Sequence, residues 1–184
     1  SLSVAVAYEG TIIWAAASGW ADLANRTPAS LATRYRIGST SKAVTATALA
    51  RLVDRGTMTL DAPASTWTRD LPNPQWAALT PRQLASHTAG IVDYDQNRDL
   101  AGLFHSIRER KQFASVTEAL SVFDGNKLKF VPGTGFRYTS FDVVLLAALM
   151  EQAAGAPFLD LLEREIARPL GTASLSADHQ DRAV

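Results

Sequence analysis

The chain has 184 residues, 18 basic and 18 acidic side chains and no formal net charge, and 47% of it is apolar. This fits one globular domain with a sizeable core, and a neutral balance without a basic run argues against nucleic acid as the main partner. Cysteine is absent, which excludes disulfides and thiolate metal sites and leaves the redox compartment unreadable. No apolar run approaches membrane-spanning length, and membrane association stays open.

In chain order, Leu2, Val4, Val6 and Tyr8 alternate with Ser3, Ala5 and Ala7. The alternation predicts a strand with one bulky and one small-residue face, the latter suited to close packing against a helix. Glu9-Gly10 reads as a tight turn, and Thr11–Ala17 as the returning strand. Ser18–Thr33 is rich in Gly, Asn, Pro and Ser and is expected to be a loop. Arg36-Ile37-Gly38-Ser39-Thr40-Ser41-Lys42 then runs into Ala43–Gly56, where Val44, Ala48, Leu49, Leu52 and Val53 recur at helical spacing.

Met58–Pro63 reads as a short extended segment. Asp61–Leu79, with its prolines and two tryptophans, reads as irregular surface structure packed by its own aromatics. Thr80-Pro81 is a helix start, with Thr80 as N-cap and Pro81 in the first position; this helix stops at His87-Thr88-Ala89-Gly90. Asp93–Ser115 is polar and in part helical, and Val116–Phe123 is an amphipathic helix ending at Gly125. The turn-rich Phe130–Gly135 delivers Phe136-Arg137-Tyr138-Thr139-Ser140. Phe141–Gly155 is a strongly apolar helix, and Pro157–Ile166 another, broken by Pro169 and Gly171. No internal repeat is evident.

Ser39 and Lys42 carry the chemistry. Residues three apart share a helical face, so the hydroxyl and the amine can meet at a helix start, where free N–H groups and the dipole favour developing negative charge. A buried, neutral lysine can deprotonate such a serine. By itself Ser-x-x-Lys occurs readily by chance, and a serine near a helix start with a solvated lysine is then the plainer interpretation. No carboxylate or histidine cluster has metal-ligand spacing. His105 and His179 sit in polar stretches and read as solvated, and nothing near His87 suggests a triad partner, so it reads as structural.

Four segments together resemble the serine β-lactamase-like family, which includes class C β-lactamases, DD-peptidases, related esterases and D-aminopeptidases. They are Tyr35–Lys42, Leu84-Ala85-Ser86-His87-Thr88-Ala89-Gly90-Ile91, Pro132–Ser140, and Gly155–Phe158 followed by Arg168-Pro169-Leu170-Gly171. Their order and spacing are far more specific than any one of them. The wording around His87 and after Tyr138 looks closest to the branch with a mitochondrial member and its bacterial relatives.

The resemblance implies an α+β fold: the N-terminal part of a β-lactamase-like domain, with an antiparallel sheet flanked by helices and a helix-rich subdomain. Residues 1–34 would form the sheet hairpin and loop, 35–56 the nucleophile helix and 57–184 the helix-rich part. Ser39 matches the acylated nucleophile, Lys42 its proton-handling partner, and Tyr138 the tyrosine of Tyr-x-Asn. A phenol beside an ammonium has its pKa lowered and can act as a base. The segment around His87 would be a turn supporting the site.

Ser140 stands where the family often has Asn; its hydroxyl can still bond Lys42 and contact substrate, but lacks the bidentate amide that holds an acylamino group. The family's third motif, Lys-Thr-Gly or His-x-Gly on a late strand, does not occur. The C-terminal strands are therefore expected from a further segment or a second chain that completes the fold.

The expected activity is that of a serine hydrolase without cofactor or metal. It would form an acyl-enzyme on a small ester or amide, with the Ser39 N–H as half of the oxyanion hole. β-Lactamase or DD-peptidase activity is the alternative, and a non-catalytic scaffold with a vestigial site is the alternative of another class. A periplasmic or secreted location follows from the resemblance alone.

Overall fold

The alternation in the first eighteen residues produces a hairpin in the computed structural model of the chain, which describes residues 1–100, 113, 115–172 and 174–177. Strands β1 (Leu2–Tyr8) and β2 (Thr11–Ser18) pair antiparallel, with Val6 opposite Trp14 and a register shift after Val6. Glu9 and Gly10 both have positive φ, 47° and 78°, the two-residue turn whose twist matches that of its strands. Ala5 and Ala7 on one face and Val6 and Tyr8 on the other are all exposed.

The stretch read as loop holds a second short ladder, β3 (Trp20–Asp22) against β4 (Thr27–Pro28). The Asp22 carboxylate makes it possible: it accepts from the Asn25 backbone N at 3.1 Å and from Asn25 Nδ2 at 2.6 Å, closing the connection. Local side-chain bonds of this kind leave almost no trace in hydrophobic periodicity. The described strands thus make two separate two-stranded antiparallel sheets.

Ser1–Ile37 with the segment from Ser176 forms one compact unit, and Gly38–Leu175 a second. The second unit is helical. A 3-10 turn over Gly38–Thr40 leads into α1 (Ser41–Asp54), which buries Thr45, Ala48, Leu49 and Leu52 on one face. Helix α2 (Pro81–Ala85) carries the expected Thr80 cap as a complete capping box with Gln83. Val116–Phe123 is only briefly α-helical, as α3 (Val116–Ala119), before tightening to 3-10 over Leu120–Val122.

Helix α4 (Ser140–Ala154) is the most deeply buried element and ends on Gly155 in the left-handed conformation. Around it lies an aromatic row: Trp76 meets Phe123 at 5.1 Å, Phe123 stacks on Phe141 at 4.2 Å, and Phe141 meets Tyr94 at 4.5 Å between ring centroids. Trp76 is 1% exposed, so the segment Asp61–Leu79 packs into this common core and not only on itself. Offset ring pairs add to the apolar burial that holds such a core.

After α5 (Phe158–Leu162) the chain widens to a π-helical stretch, Glu163–Ala167, and continues as α6 (Arg168–Leu170) to Gly171, φ +65°. Pro169 therefore does not break the helical path; it falls in the first turn of the new segment, where proline is tolerated. Buried Glu165 is held there by Arg51, Arg55 and Arg164. His105, His179 and most of Asn97–Ser115 lie outside the described residues.

Candidate active site

Gly38 has φ +52° with open space where a Cβ would stand; it is the left-handed conformation, not crowding, that favours glycine. It turns the chain into the 3-10 turn that carries Ser39. The Ser41 hydroxyl donates to the Gly38 carbonyl at 2.7 Å and braces that turn. Ser39 is exposed and lies one turn ahead of α1, not inside its first turn.

Lys42, one residue into α1, donates from Nζ to Ser39 Oγ at 3.2 Å and to Ser140 Oγ at 3.0 Å. The expected Ser39–Lys42 contact is present, but it spans the 3-10 turn and the start of α1, not a single α-helical face. Lys42 is half-buried, not fully buried as expected. Ser140 opens α4, after Thr139 has capped that helix by accepting from the Phe141 backbone N at 3.1 Å. One amine thus joins the starts of the two main helices.

Tyr138 completes the cluster. Its ring centroid lies 5.0 Å from Lys42 Nζ, a separation at which the ring face attracts the ammonium. Hydrogen bonding to Ser39, then to Lys42, holds the phenol below its ordinary value of 10.0, against the raising effect of desolvation and of the Asp93 charge. All four residues singled out in the sequence, Ser39, Lys42, Tyr138 and Ser140, are brought together.

Behind Tyr138 stands His87. Its ring meets the phenol ring at 4.5 Å, and its Nδ1 lies 3.0 Å from Asp142 Oδ2. Asp142 is fully buried in the first turn of α4, and its carboxyl is pushed up to about 8, chiefly by burial and then by the charge of Asp93. Burial, followed by the Lys42 charge, pushes His87 down from 6.5. The sequence supplied no partner for His87; the structure places one 55 positions away. The available signal was an acidic residue in the otherwise apolar run after Ser140.

The His87 turn is built for this position. Thr88 N donates to Gln83 O at 2.9 Å and His87 N to Leu84 O at 3.3 Å, the Schellman closure of α2. His87 occupies the left-handed position, φ +59°, that glycine usually takes. At Gly90, φ +85°, a Cβ would come within 2.7 Å of the Phe130 carbonyl, so glycine lets the two segments approach. Among the described residues, no group of three or more His, Asp or Glu is placed to hold a metal ion.

Comparisons with known proteins bear on the family and the fold. The beta-lactamase family model matches residues 1–183. The human mitochondrial serine beta-lactamase-like protein LACTB is 26% identical over 88% of this chain and 40% of its own length. Esterase EstB of Burkholderia gladioli is 31% identical over 90% of this chain and 44% of its own. The crystal structure of a penicillin-binding protein from Bacillus halodurans superposes with a TM-score of 0.82 at 25% identity, covering 99% of this chain and 53% of that one. The chain spans about half the length of that structure and somewhat less of the two curated relatives. With a family model matched along almost its whole length and a fold shared with a solved member, the chain belongs to the beta-lactamase family, a family of serine hydrolases.

Proposed function

We propose that the protein is a serine hydrolase that forms an acyl-enzyme on Ser39 and acts on a small ester or amide. The observation that carries this reading is the single Lys42 Nζ within hydrogen-bonding reach of both Ser39 Oγ and Ser140 Oγ, beside a phenol held below its ordinary value. Ser39 Oγ attacks the substrate carbonyl while its proton passes to the Tyr138 and Lys42 pair. The Ser39 N–H helps to stabilise the oxyanion. The bond to the leaving alkoxide or amine then breaks, and that group takes the proton. Water attacks the acyl carbon by the same route in reverse, and Ser39 regains its hydrogen.

Ser140 favours esters and small amides over acylamino substrates, because a hydroxyl cannot offer the paired donor and acceptor of an amide. EstB, a relative named as an esterase, supports the same preference. Labelling the full-length protein with a fluorophosphonate and mapping the modified peptide tests the assignment. Modification at Ser39 is expected; a label elsewhere, or none, would overturn it.

A further inference from the structure

Asp142 poses a question that the proposed chemistry leaves unanswered. It is a fully buried carboxyl whose Oδ1 has no hydrogen-bonding partner and whose Oδ2 meets His87 Nδ1 at 3.0 Å. Burying such a group with one partner is unfavourable unless the contact it makes is needed. His87, in turn, holds a left-handed backbone conformation that a histidine adopts only at some cost. Two unfavourable choices converge on one hydrogen bond.

Its geometry points at Tyr138. The His87 ring contacts the phenol ring at 4.5 Å, and Lys42 Nζ stands 5.0 Å from that ring's centroid. Phe136 meets the imidazole edge-on at 6.2 Å. The backbone repeats the connection: Arg137 N donates to His87 O at 2.8 Å, and Thr139 Oγ1 donates to Val92 O at 3.0 Å. Residues on both sides of Tyr138 are therefore tied to the segment that carries His87. Tyr138 itself is 46% exposed, so the imidazole is a main support on the protein side of its ring.

We propose that His87 and Asp142 are positioning residues: Asp142 fixes the imidazole plane, and the imidazole seats the Tyr138 ring where its hydroxyl meets Ser39 and Lys42. This rests on the hydrolase reading for its consequence in catalysis, but not for its structural content. Either protonation arrangement maintains the bond, since a carboxylic acid can donate to Nδ1 and a carboxylate can accept from Nδ1–H. The charged or titratable groups that bear on the phenol are Lys42 and Asp93, with His87 beside its ring. Displacing the hydroxyl from Ser39 and Lys42 would let the phenol return toward its ordinary value.

The test uses the full-length protein and two readouts. One is the rate of fluorophosphonate labelling at Ser39; the other is the Tyr138 phenol titration followed by NMR with carbon-13 tyrosine. In His87→Ala and Asp142→Leu the phenol midpoint should rise, and labelling at neutral pH should slow by about tenfold or more. Asp142→Asn keeps a group that can donate to or accept from Nδ1, and should restore both. An unmoved phenol midpoint in His87→Ala overturns the proposal, as does an Asp142→Asn protein that behaves like Asp142→Leu. If His87→Ala does not fold, the Asp142→Asn and Asp142→Leu pair decides by the same criterion. If the parent protein is not labelled, the hydrolase reading fails, and the phenol titration still decides the positioning.

Discussion

Lys42 Nζ lies 3.0 Å from Ser140 Oγ, a residue 98 positions further along the chain. The same nitrogen reaches Ser39 Oγ at 3.2 Å, so one compact ammonium joins the nucleophile turn to the start of α4. A guanidinium is a longer planar fork that cannot place one nitrogen at both oxygens, and it cannot become a neutral base. Lys42→Arg is therefore expected to lose nearly as much ester hydrolysis as Lys42→Ala, about a hundredfold or more in kcat/KM. Substantial activity in Lys42→Arg would rule out proton handling by this residue.

Ser39→Ala should abolish p-nitrophenyl acetate turnover and leave the thermal transition in place. Ser39 is exposed, so its hydroxyl contributes chemistry and little packing. Loss of a nucleophile costs about a thousandfold or more in kcat. Parental turnover by Ser39→Ala would show that the covalent route is wrong.

β-Lactam hydrolysis should be slow beside ester hydrolysis. Ser140 presents a hydroxyl already engaged by Lys42, and it lacks the matched donor and acceptor that an acylamino side chain needs. Nitrocefin and p-nitrophenyl acetate assayed side by side give the ratio of kcat/KM. Efficient nitrocefin turnover lost in Ser39→Ala would reverse the preference stated here.

Stability should fall as pH rises toward 8, and Asp142 should be a cause. Its folded carboxyl titrates at about 8, against 3.8 without the protein environment. Between those values the folded state keeps a proton that the unfolded state has lost, so each pH unit removes at most about 1.4 kcal/mol. His87 is held below 6.5 in the folded state, so it acts in the opposite sense: the unfolded state loses the extra proton as pH rises, and that effect levels off about one pH unit above 6.5. Between about 6.5 and 8 the Asp142 contribution declines while that of His87 rises and levels off, so the difference in slope between the parent and Asp142→Asn isolates the carboxyl. Urea midpoints across that interval should decline more steeply for the parent than for Asp142→Asn, and equal slopes would remove the assignment.

Much of the architecture followed from local patterns. The hairpin over Leu2–Ser18, the Thr80-Pro81 helix start, the apolar helix after Ser140 and the Ser39–Lys42 contact all depend on periods of two or 3.6 residues, or on capping chemistry within four residues. Such interactions are written where they act. Tyr138 and Ser140 were legible in another way, through motif order, and the fold then carried them to Lys42.

Only tertiary structure decided the rest. Trp76 entered the shared core because Phe123, far along the chain, meets its ring and is itself stacked on Phe141. The β3 and β4 ladder is a local exception: it rests on a side-chain bond at Asp22, three residues from its partner, which strand periodicity does not record. Asp142 acquired a partner only when the α2 turn delivered His87 to it, and its raised carboxyl reflects burial, which no neighbouring residue encodes. Periodicity records what a residue does with its own helix or strand; desolvation and long-range pairing belong to the packed chain.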